Sequence, residues 1–94
     1  MPKKINTFYL GTAVKLTITI DVSTATSALI TIDDPTEIEK ISDANMTKEA
    51  DGVYTYTYQS LNTDTAGDYV VTFEITYGGY TAVTQETFRL IDQE

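Results

Sequence analysis

The residues of this chain that could do chemistry are carboxylates and tyrosines. The 94-residue sequence has no histidine and no cysteine. The commonest general base, the thiol nucleophile, and the imidazole and thiolate metal ligands are therefore missing. Ser23, Ser27, Ser42 and Ser60 have no histidine to activate them. Acid pairs do occur, at Asp33-Asp34 and Glu37/Glu39. Two carboxylates can hydrolyse a glycosidic bond when they flank a substrate cleft, but so short a chain offers little room for one. No catalytic residue is assigned, and the protein is expected not to be an enzyme. Carboxylates can instead hold calcium, which needs about six to eight oxygens converging at one point. Asp33, Asp34, Asp64 and Asp68 fall near strand ends, with Asp43, Asn45 and Asp51 in the loops between. Their spacing lacks the regular Asp/Asn/Gly rhythm of a calcium loop, so they are read as solvated turn carboxylates. No metal and no cofactor is expected.

The tyrosines divide into two groups. Tyr54, Tyr56 and Tyr58 alternate and share one strand face, and Val53 alone competes from the other. They are read as inward-facing core residues; facing outward, they would form an aromatic stripe suited to a protein interface. Tyr9, Tyr77 and Tyr80 sit at strand ends or turns and are the candidates for partner contacts.

The elements that must position these residues are strands. Val14, Leu16, Ile18, Ile20 and Val22 alternate with polar residues, which predicts a half-buried strand over roughly residues 12–22. Phe8-Tyr9-Leu10 reads as a short first strand ending at Gly11, with residues 1–7 as an extended arm. Ala28 to Asp33 is a strand with Ala28, Ile30 and Ile32 on one face. Asp34-Pro35-Thr36 is a turn. Glu37 to Ile41 reads as a charged edge strand, and Asp43 to Lys48 as a loop or short strand. Asp51-Gly52 and Gly78-Gly79 are hairpin signals. They bracket a strand over Val53 to Gln59, a corner over Leu61 to Gly67, a strand over Asp68 to Tyr77 and a last strand over Tyr80 to Ile91. Residues 92–94 form a polar tail.

This spacing predicts an all-β Greek-key sandwich of about seven antiparallel strands in a single domain spanning residues 1–94, without a disulfide. Hydrophobic residues make up 41% of the chain, enough for a core. The formal net charge of −8 argues against nucleic acid or an anionic membrane as partner. Lys3-Lys4 is too small a basic cluster to change that. The first residues lack the apolar run of a signal peptide, and the chain is expected to be a small complete protein.

Ala66-Gly67-Asp68-Tyr69-Val70-Val71 resembles the strand F signature of immunoglobulin-like domains, in which a tyrosine two residues before the core position makes a tyrosine corner. The resemblance implies that the Tyr69 hydroxyl bonds backbone within the corner that contains Asp64, and that Gly67 adopts an unusual backbone angle. Val14-Lys15-Leu16-Thr17-Ile18 resembles strand B. Ile18 and Val71 would then stand where a disulfide joins the sheets in antibody domains, and Ile30 where a tryptophan would be. Tyr69, Val71 and Phe73 would face the core. A wider resemblance runs through Gly11 to Thr17, Ile32-Asp33-Asp34-Pro35, Asp51-Gly52-Val53-Tyr54, Ala66 to Tyr69 and Glu86-Thr87-Phe88. It is to the small immunoglobulin-like structural and accessory proteins of tailed phages and archaeal tailed viruses.

That resemblance implies a non-enzymatic virion subunit. It would decorate the capsid or attach at the head–tail or neck region, binding a major capsid, neck or tail protein in many copies or as a homo-oligomer. The alternative is a bacterial extracellular adhesion or carbohydrate-binding module, with tyrosines stacking on sugars and acidic loops assisted by calcium.

Overall fold

The computed structural model describes residues 3–92, and side chains from residue 7 onward. Eight strands run in order: β1 (Lys3–Tyr9), β2 (Ala13–Thr19), β3 (Ser27–Asp33), β4 (Glu39–Asn45), β5 (Thr47–Ala50), β6 (Val53–Gln59), β7 (Gly67–Tyr77) and β8 (Tyr80–Ile91). They form a five-stranded sheet, β1-β8-β7-β3-β4, and a three-stranded sheet, β2-β6-β5. The all-β sandwich is the expected architecture. Its inner faces alternate with outward polar residues, as the period of two along each strand requires.

The core lies between the sheets. Val14 and Leu16 of β2, Ile30 and Ile32 of β3, Tyr69, Val71 and Phe73 of β7, and Phe88 and Leu90 of β8 are all buried. The Tyr69 and Phe88 rings, directly opposite in the β7–β8 register, stack at 5.3 Å between centroids. Tyr58 reaches across from the other sheet to both, at 6.2 and 6.4 Å. Tyr54 and Tyr58 are buried and Tyr56 packs partly against the core, so the inward face of β6 is the tyrosine face. A second, smaller cluster of Ala28, Tyr54 and Ile75 extends the core toward the Gly78-Gly79 turn.

Several elements differ from the sequence expectation. The first strand starts at Lys3 rather than Phe8, and residues 3–7 are part of it rather than a free arm. It runs parallel to β8, from Lys3 opposite Glu86 to Tyr9 opposite Ile91. The sequence from Lys3 to Thr7 is mostly polar and carries no alternation, because backbone pairing at a sheet edge holds it in place. The strand expected over residues 12–22 ends at Thr19, and beyond it the Ile20 amide donates to the Gly52 carbonyl. The edge strand expected at Glu37–Ile41 lies instead at Glu39–Asn45. It is followed at once by β5, so the strands among the described residues number eight.

Met46 is the single residue between β4 and β5, and there the chain passes from one sheet to the other. Its amide bonds the Ala28 carbonyl in passing. Ile18, which the resemblance set against Val71, is partly buried and touches both core clusters. Leu16, one alternation earlier, is fully buried, as is Val14 before it.

Candidate functional site

The polar side chains that the fold gathers most closely lie at the corner between β6 and β7. Asp64 stands at its centre with its side chain only 4% exposed. One carboxylate oxygen accepts from the Tyr58 hydroxyl at 2.9 Å and from the Leu61 amide at 2.8 Å. The other faces the Lys40 ammonium at 3.4 Å. Burial works to raise the Asp64 pKa. The Leu61 amide, the Tyr58 hydroxyl and Lys40 outweigh it and hold the carboxyl below its ordinary value. The same arrangement pushes the Tyr58 phenol well up, through burial first and then its bond to Asp64.

One turn further on, the Tyr69 hydroxyl donates to the Thr65 carbonyl at 2.7 Å. Burial, with the charges of Asp64 and Asp34, pushes this phenol up to about 12. Gly67 has φ +137°, and a Cβ there would lie 2.8 Å from Cγ of Pro35. The corner and the Asp34-Pro35 turn are therefore packed against each other.

Asp34 closes that turn. Its Oδ1 accepts from the Thr36 hydroxyl, the Thr36 amide and the Ile38 amide. These bonds, that of the Thr36 hydroxyl foremost, hold its pKa down. On the opposite side of the corner Ser60 is buried. It donates to the Thr12 carbonyl and accepts from the Gly11 amide, pinning the β1–β2 turn to the end of β6.

This arrangement braces the fold. The bonds to Asp34 Oδ1 and those to Asp64 hold both carboxyls below their ordinary value. Asp33 goes the other way. Burial first, then the charges of Glu39, Asp34 and Glu37, raise its pKa, and its Oδ1 is buried without a hydrogen-bond partner. Among the described residues, no group of three or more acidic side chains is placed to hold a metal ion. Asp68 pairs with Arg89 across the β7–β8 ladder at 2.8 Å, and Asp51 with Lys48 at 3.2 Å.

The tyrosines proposed for contact fall in three different settings. Tyr80 is 75% exposed at the start of β8, and Tyr9 is exposed at the end of β1. Tyr77 is partly buried instead, packed on the Ala28–Tyr54–Ile75 cluster. Its place beside the turn suggested exposure, but the odd-numbered positions of β7 face the core. Tyr9 lies beside Ile91 and Tyr80 at the other end of the same strand. At the usual strand rise this puts them roughly 35 Å apart.

Tyr77 also lines an open groove of about 180 Å3 between the end of β2 and the start of β8. Ile18, Ile20 and Ile75 give its lining an apolar part, and Ala82, Thr84 and Asp21 also line it. The lone Ala82 and Thr84 carry no sign in the sequence that a groove runs beside them. Nor did the sequence reading find Lys40 and Ser60 as partners of the corner, because each meets its partner only through tertiary packing.

No family profile and no curated protein sequence matches the chain. Solved structures that resemble it in fold include two from different proteins. CopC from Methylosinus trichosporium OB3b superposes with a TM-score of 0.69 at 16% identity, covering 99% of this chain and 86% of that one. The M1 domain from titin superposes with a TM-score of 0.52 at 20% identity, covering 97% of this chain and 91% of that one. With the two-sheet topology above, these likenesses define the protein as an immunoglobulin-like β-sandwich. At such identities the likeness concerns fold alone.

Proposed function

We propose that the protein is a non-enzymatic virion subunit, an immunoglobulin-like accessory protein that works by protein–protein contact on the capsid or at the head–tail or neck region. The contact part of this reading rests on one observation. The buried hydroxyls and carboxylates of Tyr58, Ser60, Asp64 and Tyr69 are committed to holding the corner together, so what remains to recognise a partner is surface. The groove at β8 holds about 180 Å3, below the roughly 300–1,000 Å3 of small-molecule sites. The virion part rests on the order of the Gly11–Thr17, Asp51–Tyr54 and Ala66–Tyr69 motifs.

Repetition suits such a subunit, because many weak contacts on a lattice give firm attachment. A sugar-stacking platform is less well served, since Tyr9 and Tyr80 are too far apart to share one ligand. The test is chromatography with light scattering, with and without the capsid, neck and tail proteins encoded beside this gene. Co-elution with one of them is the expected result. Failure to bind any, together with binding on a glycan array, would replace this reading with the extracellular adhesion one.

A further inference from the structure

The first half of β8 is an exposed strand edge with none of the usual protection. β1 covers β8 only from Glu86 to Ile91. Among the described residues, no strand lies beside Tyr80–Gln85 on the side away from β7. The other edges carry devices that discourage pairing. β5 is four residues long and bears Lys48 and Glu49. β4 bears Glu39 and Lys40 and is broken by register shifts. β2 has the exposed Lys15, and β1 opens with Lys3-Lys4.

Tyr80-Thr81-Ala82-Val83-Thr84-Gln85 has no charge and no proline, and it pairs with β7 without a bulge. All six residues are exposed. Three of them, Tyr80, Ala82 and Thr84, are on the face of β8 that farther along buries Phe88 and Leu90. They stay open because the three-stranded sheet does not reach over them, and this leaves the groove lined in part by Ile18, Ile20 and Ile75.

We propose that this edge and groove accept an extended strand from a partner protein, lying in line with β1 and completing the five-stranded sheet along β8. This deepens the protein-contact reading above and rests on it. Main-chain bonds to Tyr80–Gln85 supply the attachment, and alternate apolar side chains entering the groove supply selectivity. The charge around the site specifies the partner further. Asp21 lines the groove and Glu74 stands opposite Val83, while at the β1 end of the free edge Lys3 stands opposite Glu86 and offsets it. No lysine or arginine occurs between residues 49 and 88 or between 16 and 39. The strand that fits is therefore apolar at alternate positions and basic at the end away from β1. A second copy of this chain, with net charge −8, is the wrong sign.

The test uses the whole protein and a blocked synthetic peptide, Lys-Val-Thr-Val-Thr-Val-Lys, followed by backbone amide NMR and hydrogen exchange. Expected are shifts confined to Tyr80–Gln85 and Ile18–Asp21, with new exchange protection along 80–85. Ala82→Arg, which fills the groove from an exposed position, should weaken binding at least about tenfold. Val83→Arg, on the outer face of the same strand, should leave it within about twofold. Glutamates in place of the peptide's lysines should also weaken it. Thermal midpoints of both variants check that they fold.

Absence of binding at millimolar peptide, shifts elsewhere, or equal binding by Ala82→Arg overturns the proposal. So does concentration-dependent protection of the same amides without peptide, which would mark a second copy as the occupant. A virion protein that co-elutes equally with Ala82→Arg would overturn the groove and leave the proposed function standing. Peptide binding at the groove with no virion partner would do the reverse.

Discussion

Tyr69 and Asp64 each tie the corner by hydrogen bonds that a single atom change removes. Tyr69→Phe keeps the ring stacked on Phe88 and loses only the bond to the Thr65 carbonyl. That should cost about 1–2 kcal/mol, and each kcal/mol moves the melting midpoint of so small a domain by roughly 4–8 °C. An unchanged midpoint would show that the bond contributes nothing. The two residues also mark opposite limbs of the pH profile. The folded pKa of Asp64 lies below its ordinary 3.8. Its contribution is complete above that value and is lost as pH falls through the folded one. Asp64→Asn should lower stability at neutral pH and flatten the acid limb of a midpoint-against-pH curve. Tyr69 is raised from 10.0 to about 12. Its contribution is complete below pH 10.0 and is lost as pH rises toward the folded value. Tyrosinate absorbance should therefore show a late class of tyrosines that ionises together with loss of the β-sheet signal. Asp33 has the reverse sense to Asp64: burial and neighbouring acids raise it. Asp33→Asn should raise the midpoint at pH 7, with the advantage shrinking toward pH 4.

At the scale of elements, the corner and the Asp34-Pro35 turn act as one piece through Gly67. Gly67→Ala brings strain at φ +137° and a 2.8 Å approach to Pro35. It should cost about 1–3 kcal/mol, readable by denaturant titration, and an unchanged transition midpoint would mean that the turn gives way freely. The sequence was informative here wherever a local rule decides the conformation. Alternation placed β2, β3 and β7. The Asp51-Gly52 and Gly78-Gly79 pairs placed the hairpins, and both Gly78 and Gly79 take positive φ, which suits the twist of a two-residue turn. Legibility failed wherever tertiary pairing decides. Asp43 takes φ +48° and exchanges hydrogen bonds with the Thr31 hydroxyl, so the bulged β4 loses the period that would have announced it. Residues Lys3 to Thr7 look like a tail, because their partner is the far end of the chain. The alternation at Leu16 and Ile18 was visible, but how deep each lies depends on where β2 leaves its sheet.

The whole molecule measures 46 × 23 × 20 Å, a long sandwich with the bare start of β8 near one end. Its net charge of −8 keeps copies apart despite that edge. Near the pI of about 4.2 the repulsion vanishes, and sheet-rich aggregation should be fastest there by light scattering. Ala82→Lys should slow it, and equal rates in the variant would mean that another surface nucleates the aggregates. Neither the edge nor its groove was legible in the sequence, since six uncharged residues reveal an open edge only once sheet order is known.

The parallel pairing of β1 with β8 has a consequence in time. Lys3–Tyr9 closes the sheet against Glu86–Ile91, so a strand made early must wait for one made roughly 80 residues later. At a ribosomal pace of roughly 5–20 residues per second, the wait is roughly 4–16 s. Through that interval the nascent chain holds Lys3–Tyr9 unmatched, and the sheet can close only after Glu86–Ile91 has been made.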